Sequence, residues 1–109
     1  MLQPVFYADT HIMFSFSTIA KYQSDLQNNH TSCTEAVNHY LARIDANRHL
    51  NAFTEVYAEE ALQRAQELDR LRSLGHTPKK LHGVVIALKD VICYKDHRVT
   101  AASKILEGF

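Results

Sequence analysis

The run Leu81-His82-Gly83-Val84-Val85-Ile86-Ala87-Leu88-Lys89-Asp90 constrains the fold of this chain more than any other segment. Five of its residues in a row, Val84 to Leu88, are apolar and rich in β-branched side chains, which is typical of a strand buried on both faces. Because strand side chains alternate, Lys89 shares a face with Val85 and Ala87. The pattern therefore predicts a buried strand that ends in a lysine.

The position of Lys89 allows two interpretations. A lysine carried into a buried place loses hydration, which lowers its pKa, and a lysine near neutrality can accept a proton in catalysis. Alternatively, Lys89 ends its strand and extends its ammonium group into water. The pattern of residues alone favours the second interpretation.

Three helices are predicted before this strand. The first begins at Ser17, the second follows the capping box Ser32-x-x-Glu35, and the third runs from Ala58 towards a stop at Gly75. Apolar side chains at helical spacing mark one face of each helix: Ile19, Tyr22 and Leu26; Ala36, Val37, Tyr40, Leu41 and Ile44; and Ala61, Leu62, Ala65, Leu68 and Leu71.

Two shorter segments are also predicted to be extended. They are Ala52 to Tyr57, and Val99 to Ala101, which can pair with the main strand through a turn near Lys95-Asp96-His97. A strand needs neighbours on both edges to satisfy its backbone donors and acceptors, and two strands alone are marginal in water. The sequence thus predicts that its own fold is insecure in isolation.

Composition argues against several classes of protein. Twelve basic and twelve acidic residues give a net charge of zero, so no broad field attracts nucleic acid or an anionic membrane. Cys33 and Cys93 form neither a CxxC pair nor a disulfide framework, so a reducing, cytoplasmic setting is expected. No apolar stretch approaches a membrane span, and Met1 to Ser15 lacks the basic region of a signal peptide.

The segment that ends in Lys89-Asp90 resembles the first signature block of the amidase signature enzymes. The resemblance covers about Ser17 to Phe109, and it is greatest to the branch that forms the A subunit of the glutamyl-tRNA(Gln)/aspartyl-tRNA(Asn) amidotransferase. Further motifs occur in the usual order of the family: Tyr40-Leu41-Ala42-Arg43-Ile44, Asn51-Ala52-Phe53, Ala61-x3-Ala65-x3-Asp69, Asp90 to Cys93, and Ala102-Ser103-Lys104-Ile105-Leu106-Glu107.

The resemblance implies an α/β fold class. The chain is expected to supply the N-terminal helices and first strands of the amidase signature fold, a mixed central sheet flanked by helices, and to be incomplete. Residues 17–109 are predicted to be the N-terminal part of an amidase signature domain. Residues 1–16 are predicted to be an extension outside the family pattern, in which Met13 is the expected true start.

The resemblance also implies a chemistry. Amidase signature enzymes hydrolyse amides with a Ser–Ser–Lys triad, and the lysine of the first signature block is the catalytic base, which falls on Lys89. Both serines belong to a later Gly/Ser-rich segment, whereas this chain has three glycines and no such run. We therefore expect the chain to hold one triad member and to be inactive by itself.

Substrate, partners and cofactors follow from the same branch of the family. The resemblance implies glutamine as the substrate, a hetero-oligomer with other amidotransferase subunits, and misacylated tRNA bound through the complex. No cofactor or metal is expected in this chain, while ATP and Mg²⁺ are expected at the partner subunit, and no membrane is involved. Two alternatives stay open: a stand-alone amide hydrolase, and a non-catalytic helical interaction module.

Other reactive residues receive weaker predictions. Cys93 lacks a placed histidine partner, and Cys93-x3-His97 alone is a weak zinc pattern. His82 is interpreted as part of the turn before the strand, with an acid–base role as the minority interpretation. Ser103 is interpreted as structural or near the site, and Asp90 as a structural hydrogen-bond acceptor.

Three positions depart from the pattern of the tRNA-dependent branch. Val91, Asp96 and Val99 stand where that branch often has asparagine, glycine and threonine. The change at position 96 puts the turn after Asp90 in doubt, because aspartate tolerates a positive φ less readily than glycine.

Overall fold

The computed structural model describes residues 14–106, which contain three α-helices. Helix α1 spans Ile19–Gln27, α2 spans Cys33–Ala46 and α3 spans Ala58–Ser73. Short 3-10 turns lie at Arg48–Leu50 and Lys104–Leu106. Helices α2 and α3 pack against each other, and the order of helices predicted from the sequence is confirmed.

The first two helices begin at hydroxyl caps. Thr18 rather than Ser17 caps α1, because its Oγ1 accepts the backbone N–H of Lys21 at 3.0 Å. Ser32 caps α2 as predicted, with its Oγ accepting the N–H of Glu35 at 3.1 Å. The Glu35 carboxylate accepts from the Thr31 hydroxyl at 3.2 Å.

Helix α3 stops where glycine predicts it. Gly75 has a φ of +84°, in the left-handed region that favours glycine, and its N–H donates to the carbonyl of Arg72 at 3.0 Å. The next residue, His76, donates its N–H to the carbonyl of Leu71 at 3.1 Å. These two bonds satisfy carbonyls at the end of the helix.

A small core forms where the three helices meet. Tyr22 is 2% exposed, and Phe14, which falls within the predicted 1–16 extension, packs edge-on against it with ring centroids 5.4 Å apart. The domain boundary stays a prediction, and Met13 lies outside the described residues. The buried members of the core are Phe14, Tyr22, Leu26, Cys33, Ala36, Val37 and Ala65, with Tyr40, Leu41, Ala61, Leu62, Leu68 and Val84 packed at its edge.

The predicted strands do not form within residues 14–106, which corrects that part of the expected α/β fold. Residues 84–89 run without helix or turn but have no strand partner. Val85, Ile86 and Leu88 are 38%, 69% and 46% exposed instead of being buried on two faces. The physical reason is that a strand depends on neighbouring backbone to pair with, and no described segment lies alongside this one as a ladder.

The other two segments predicted to be extended behave in the same way. Residues 52–57 and 99–100 run without helix or strand, whereas Ala101, the last residue of the predicted segment, lies in a turn with a φ of +48°. One backbone bond, from the Ala101 N–H to the Asp90 carbonyl at 2.9 Å, joins the ends of the loop 90–101. The radius of gyration is 15.9 Å, against about 13 Å for a compact domain of 100 residues. The fold is therefore open.

Within residues 14–106, no helix is long and apolar enough to cross a membrane.

Candidate active-site segment

The lysine-bearing segment, residues 84–89, starts at a turn that is pressed into the helical core. Gly83 is buried and has a φ of +77°. A Cβ atom at this position would lie 2.7 Å from Cys33 Sγ, 3.0 Å from Tyr22 Oη and 3.2 Å from Leu26 Cδ1. Only glycine therefore lets the backbone approach α1 and α2 this closely.

Helix α1 tethers the same turn with two side chains. The buried Tyr22 hydroxyl donates to the Gly83 carbonyl at 2.7 Å, and the Gln23 amide donates to the Lys80 carbonyl at 2.6 Å. Burial raises the pKa of Tyr22, so the phenol keeps the proton that it donates. The path of the chain into the segment is thus fixed by hydrogen bonds across 57 to 61 residues of sequence.

Asp69 ties α3 to the start of α2. Its carboxylate accepts the backbone N–H groups of Cys33 at 2.8 Å and Thr34 at 3.0 Å, and the Thr34 hydroxyl at 2.8 Å. Arg72 Nη2 lies 3.3 Å from the same carboxylate. Although burial alone would raise the pKa of Asp69, the hydrogen bonds from Cys33 and Thr34 hold it below its usual range. A carboxylate at a helix N-terminus is also favoured by the helix dipole.

The Asp69→Asn variant is expected to destabilise the fold by about 1–3 kcal/mol, because one oxygen that accepts α2 N–H groups is lost. The wild-type contribution is present above the unfolded pKa of about 3.9 and is lost as pH falls through the lower folded-state pKa. Urea unfolding at neutral and acidic pH therefore shows a difference between variant and wild type that shrinks with acidification.

Asp45→Asn is the matched control for this measurement. Asp45 pairs with Arg48 on the surface, at 2.7 Å, and its side chain is 72% exposed. The control is expected to change the free energy of unfolding by less than about 0.5 kcal/mol. Equal effects of the two variants would contradict the role given to Asp69.

Lys89 lies at the exposed end of the lysine-bearing segment. The expectation that its own face of the strand is buried is wrong for the described chain, since Val85 and Ala87 on that face are exposed as well. The carbonyl of Lys89 accepts the N–H of Ile92 at 3.0 Å, which starts a turn. Its part in catalysis stays a prediction.

Asp90 is a structural hydrogen-bond acceptor, as predicted. Its Oδ1 accepts the N–H of Thr100 at 2.9 Å, and its Oδ2 accepts the Thr100 hydroxyl. Its backbone carbonyl accepts the N–H of Ala101. The Thr100 hydroxyl and N–H hold the pKa of Asp90 below its usual range. The two ends of the loop 90–101 are therefore clamped together directly after Lys89.

The loop between these ends is braced against helix α3. His97 Nε2 lies 2.7 Å from Glu60 Oε1, and its ring stacks on Tyr94 with centroids 4.3 Å apart. The Arg98 guanidinium pairs with Glu55 at 3.1 Å. Asp96 takes a φ of +64°, so the aspartate does adopt a left-handed conformation at a position where the related branch often has glycine.

The other residues considered from the sequence are Cys93, His82 and Ser103. Cys93 is a free, exposed thiol, and burial lowers the pKa of His82. The Ser103 hydroxyl accepts the N–H of Ile105 at 3.3 Å, which caps a short turn. Among residues 14–106, no group of three His, Cys, Asp or Glu side chains could hold a metal ion.

An open groove of about 600 Å³ lies beside the lysine-bearing segment. Its floor combines apolar side chains from α2, from the segment 50–56 and from residues 85–87. Arg43 and Arg48 are the charged residues of its lining. The groove thus joins two segments that the sequence predicted to be extended.

Comparison with known proteins places the chain in a family. The family model described as Amidase matches residues 35–109, which is more than half of the chain and includes Lys89, Asp90 and Thr100. The chain belongs to the amidase family. The sequence resemblance to the amidase signature enzymes is therefore confirmed.

Two relatives of this amidase-family chain carry the same name. The A subunit of glutamyl-tRNA(Gln) amidotransferase from Chlorobium phaeobacteroides (strain BS1) is 42% identical over 94 residues, which is 86% of this chain and 20% of the relative. The protein of the same name from Chlorobium chlorochromatii is 51% identical over 77 residues, 71% of this chain and 16% of the relative. This chain spans about a fifth of the length of these relatives. No solved structure matches it.

Sequence reasoning missed two polar contacts across the core of this amidase-family chain, from Asp69 to the start of α2 and from Tyr22 to Gly83. Asp69 entered only as part of the family motif, yet it follows Ala61 and Ala65 at intervals of four, which puts a carboxylate on the apolar face of α3. Tyr22 likewise lies on the apolar face of α1, where a buried hydroxyl needs a partner. Both positions carried a signal that a polar contact forms across the core.

Proposed function

We propose that this chain is the N-terminal portion of the glutaminase subunit of a tRNA-dependent amidotransferase. Membership of the amidase family supports the hydrolase chemistry, and the name of the two relatives described above supports this branch. The observation that carries the proposal is the family match across residues 35–109, which includes Lys89. The complete subunit denotes a protein of the relatives' length that contains this sequence.

In the proposed mechanism, Lys89 is the base of a Ser–Ser–Lys triad whose serines lie in a later segment of the complete subunit. One serine attacks the side-chain amide carbon of glutamine, and its proton passes through the second serine to the neutral amine of Lys89. The proton then goes to the leaving nitrogen, which departs as ammonia. Water hydrolyses the acyl-enzyme and releases glutamate.

The exposed apolar segments support the idea that more of the subunit packs here. Val85 and Ile86 line the open groove with Phe53, and a strand of this composition is stable when other strands pair with its edges and helices cover its faces. The sheet expected from the resemblance thus belongs to the complete subunit.

The remaining assignments follow the proposed complex. Ammonia passes to a partner subunit that converts misacylated Glu-tRNA(Gln) to Gln-tRNA(Gln), and ATP and Mg²⁺ belong to that partner. This chain contributes no cofactor ligand in the proposal. The complex is placed in the cytoplasm, where protein synthesis takes place.

A second candidate is a non-catalytic helical interaction module. The observation that favours it is that residues 14–106 contain helices and no strand. The two candidates differ in activity. A non-catalytic module does not require a lysine base and does not hydrolyse glutamine. The exposed apolar residues of the segment 85–88 are better explained by a sheet that is completed elsewhere.

Ammonia release from glutamine distinguishes the two candidates. We expect the complete subunit, together with its partners, to hydrolyse glutamine, and the 109-residue chain alone to show no turnover, because it holds one member of the triad. Turnover by the short chain above background would contradict the proposed division of the site. Absence of turnover in the assembled complex would favour the module.

A further inference from the structure

The hydrogen bonds that join Asp90 to residues 100 and 101, called the clamp, directly follow Lys89 in the chain. Three hydrogen bonds reach Asp90 from residues 100 and 101: the Thr100 N–H at 2.9 Å, the Thr100 hydroxyl, and the Ala101 N–H at 2.9 Å. All three acceptors, two carboxylate oxygens and one carbonyl, belong to the residue that follows Lys89. The orientation of that peptide is therefore set from across the loop.

The anchor on the other side of Lys89 is more distant. It is Gly83, six residues earlier, which is roughly 20 Å of extended chain. Between them, Val85, Ile86 and Leu88 are exposed in the described chain. The position of the Lys89 backbone thus depends on the clamp more than on the anchored turn.

The clamp also joins Lys89 to the helical body. Thr100 lies at the end of the loop 90–101, and two ion pairs hold this loop. His97 pairs with Glu60 of α3, and Arg98 pairs with Glu55 in the segment before α3. A hydroxyl at position 100 completes the connection, because it supplies the bond to the second carboxylate oxygen of Asp90. Thr100 is therefore the residue through which the braced loop acts on the lysine.

We propose that Thr100 is a positioning residue for the Lys89 amine, acting through its hydroxyl on Asp90. This inference rests on the proposed catalytic role of Lys89. Proton transfer requires donor and acceptor at hydrogen-bond distance, and a displacement of 1 Å by a residue outside the chemistry can lower a rate about 100-fold. Loss of the hydroxyl bond frees one side of the clamp and lets the lysine-bearing end of the segment shift.

The test compares Thr100→Val, which keeps the shape and removes the hydroxyl, with Thr100→Ser, which keeps the hydroxyl. In the assembled complex, the valine variant is expected to lower kcat for glutamine about 10- to 100-fold and to leave KM within about 3-fold. The serine variant is expected to restore most of kcat. Thr77→Val, in the exposed loop after α3, is the control that leaves both constants unchanged.

Asp90→Asn is a second variant that weakens the same clamp from the other side without changing the side-chain volume. It is expected to lower kcat as Thr100→Val does, at a wild-type amount of assembled complex. Wild-type kcat in both variants, or equal losses in Thr100→Val and Thr100→Ser, would overturn the inference. An inactive wild type would instead refute the proposed function, and activity in Lys89→Ala would refute the role of the lysine.

Discussion

Lys89→Ala is expected to remove nearly all glutamine hydrolysis by the complete subunit, with a fall in kcat of about 10²- to 10⁴-fold, while assembly with the partners stays nearly intact. The reason is that the attacking serine loses the group that takes its proton, and proton transfer by a positioned base contributes typically 10²–10⁴-fold to a rate. Assembly is expected to persist because the hydrogen bonds at Gly83 and Asp90 come from Tyr22 and Thr100 and do not use the Lys89 side chain. The measurement is ammonia release at saturating glutamine.

Lys79→Ala is the matched control for this experiment. Lys79 is an exposed lysine in the loop before the same turn, ten residues from Lys89 and outside the clamp. We expect this variant to retain wild-type kcat and KM. Substantial turnover by Lys89→Ala, at a wild-type amount of complex, would remove Lys89 from the role of base.

Gly83→Ala is expected to have the largest effect on stability, about 3 kcal/mol. A non-glycine residue at a positive φ costs roughly 1–2 kcal/mol, and forcing extra volume into a packed site costs typically 1–3 kcal/mol more. The added Cβ would meet Cys33 Sγ at 2.7 Å and Tyr22 Oη at 3.0 Å. Urea unfolding of the chain, followed by far-UV circular dichroism, measures the change.

Gly75→Ala separates the two causes. Gly75 has nearly the same φ, +84°, but nothing lies within 4 Å of a Cβ atom built there. This control is expected to cost about 1–2 kcal/mol, the conformational part alone. If both glycine variants lose the same stability, the close approach of Gly83 to the helical core does not contribute.

The helices could be predicted from the sequence because their signals are local. Caps, apolar spacing and a terminal glycine all act within a few residues, and the three helices form where these signals place them. The remaining error is one position at the start of α1, where Ser17 and Thr18 are neighbouring hydroxyl residues and only the geometry shows which one caps. The Asp90 acceptor was also predictable, since it follows an apolar run directly.

The strand and the burial of Lys89 were predicted from the sequence but do not occur within residues 14–106, because both depend on other backbone that pairs with this segment. The run Val84 to Leu88 has the composition of a covered strand, but a strand exists only when other backbone pairs with it. The described residues offer no such partner, and the chain spans about a fifth of the length of its relatives. The fold expected from the family and the fold of residues 14–106 therefore differ at this segment.

The polar contacts across the core could not be predicted from local pattern for another reason. The bond from Tyr22 to Gly83 joins residues 61 positions apart, and that from Cys33 to Asp69 joins residues 36 apart. Residue type and helical face show that these side chains need partners, but the identity of a partner depends on how the helices pack. The pairing was therefore available only from the structure.

The proposed role of Lys89, as the base of a Ser–Ser–Lys amidase whose serines lie in a later segment, is open to one direct test. That test is to sequence the natural transcript through and beyond the codon for Phe109. We predict a reading frame that continues into a Gly/Ser-rich segment with paired serines. A stop codon directly after Phe109 would leave Lys89 without its serines and would contradict the catalytic role.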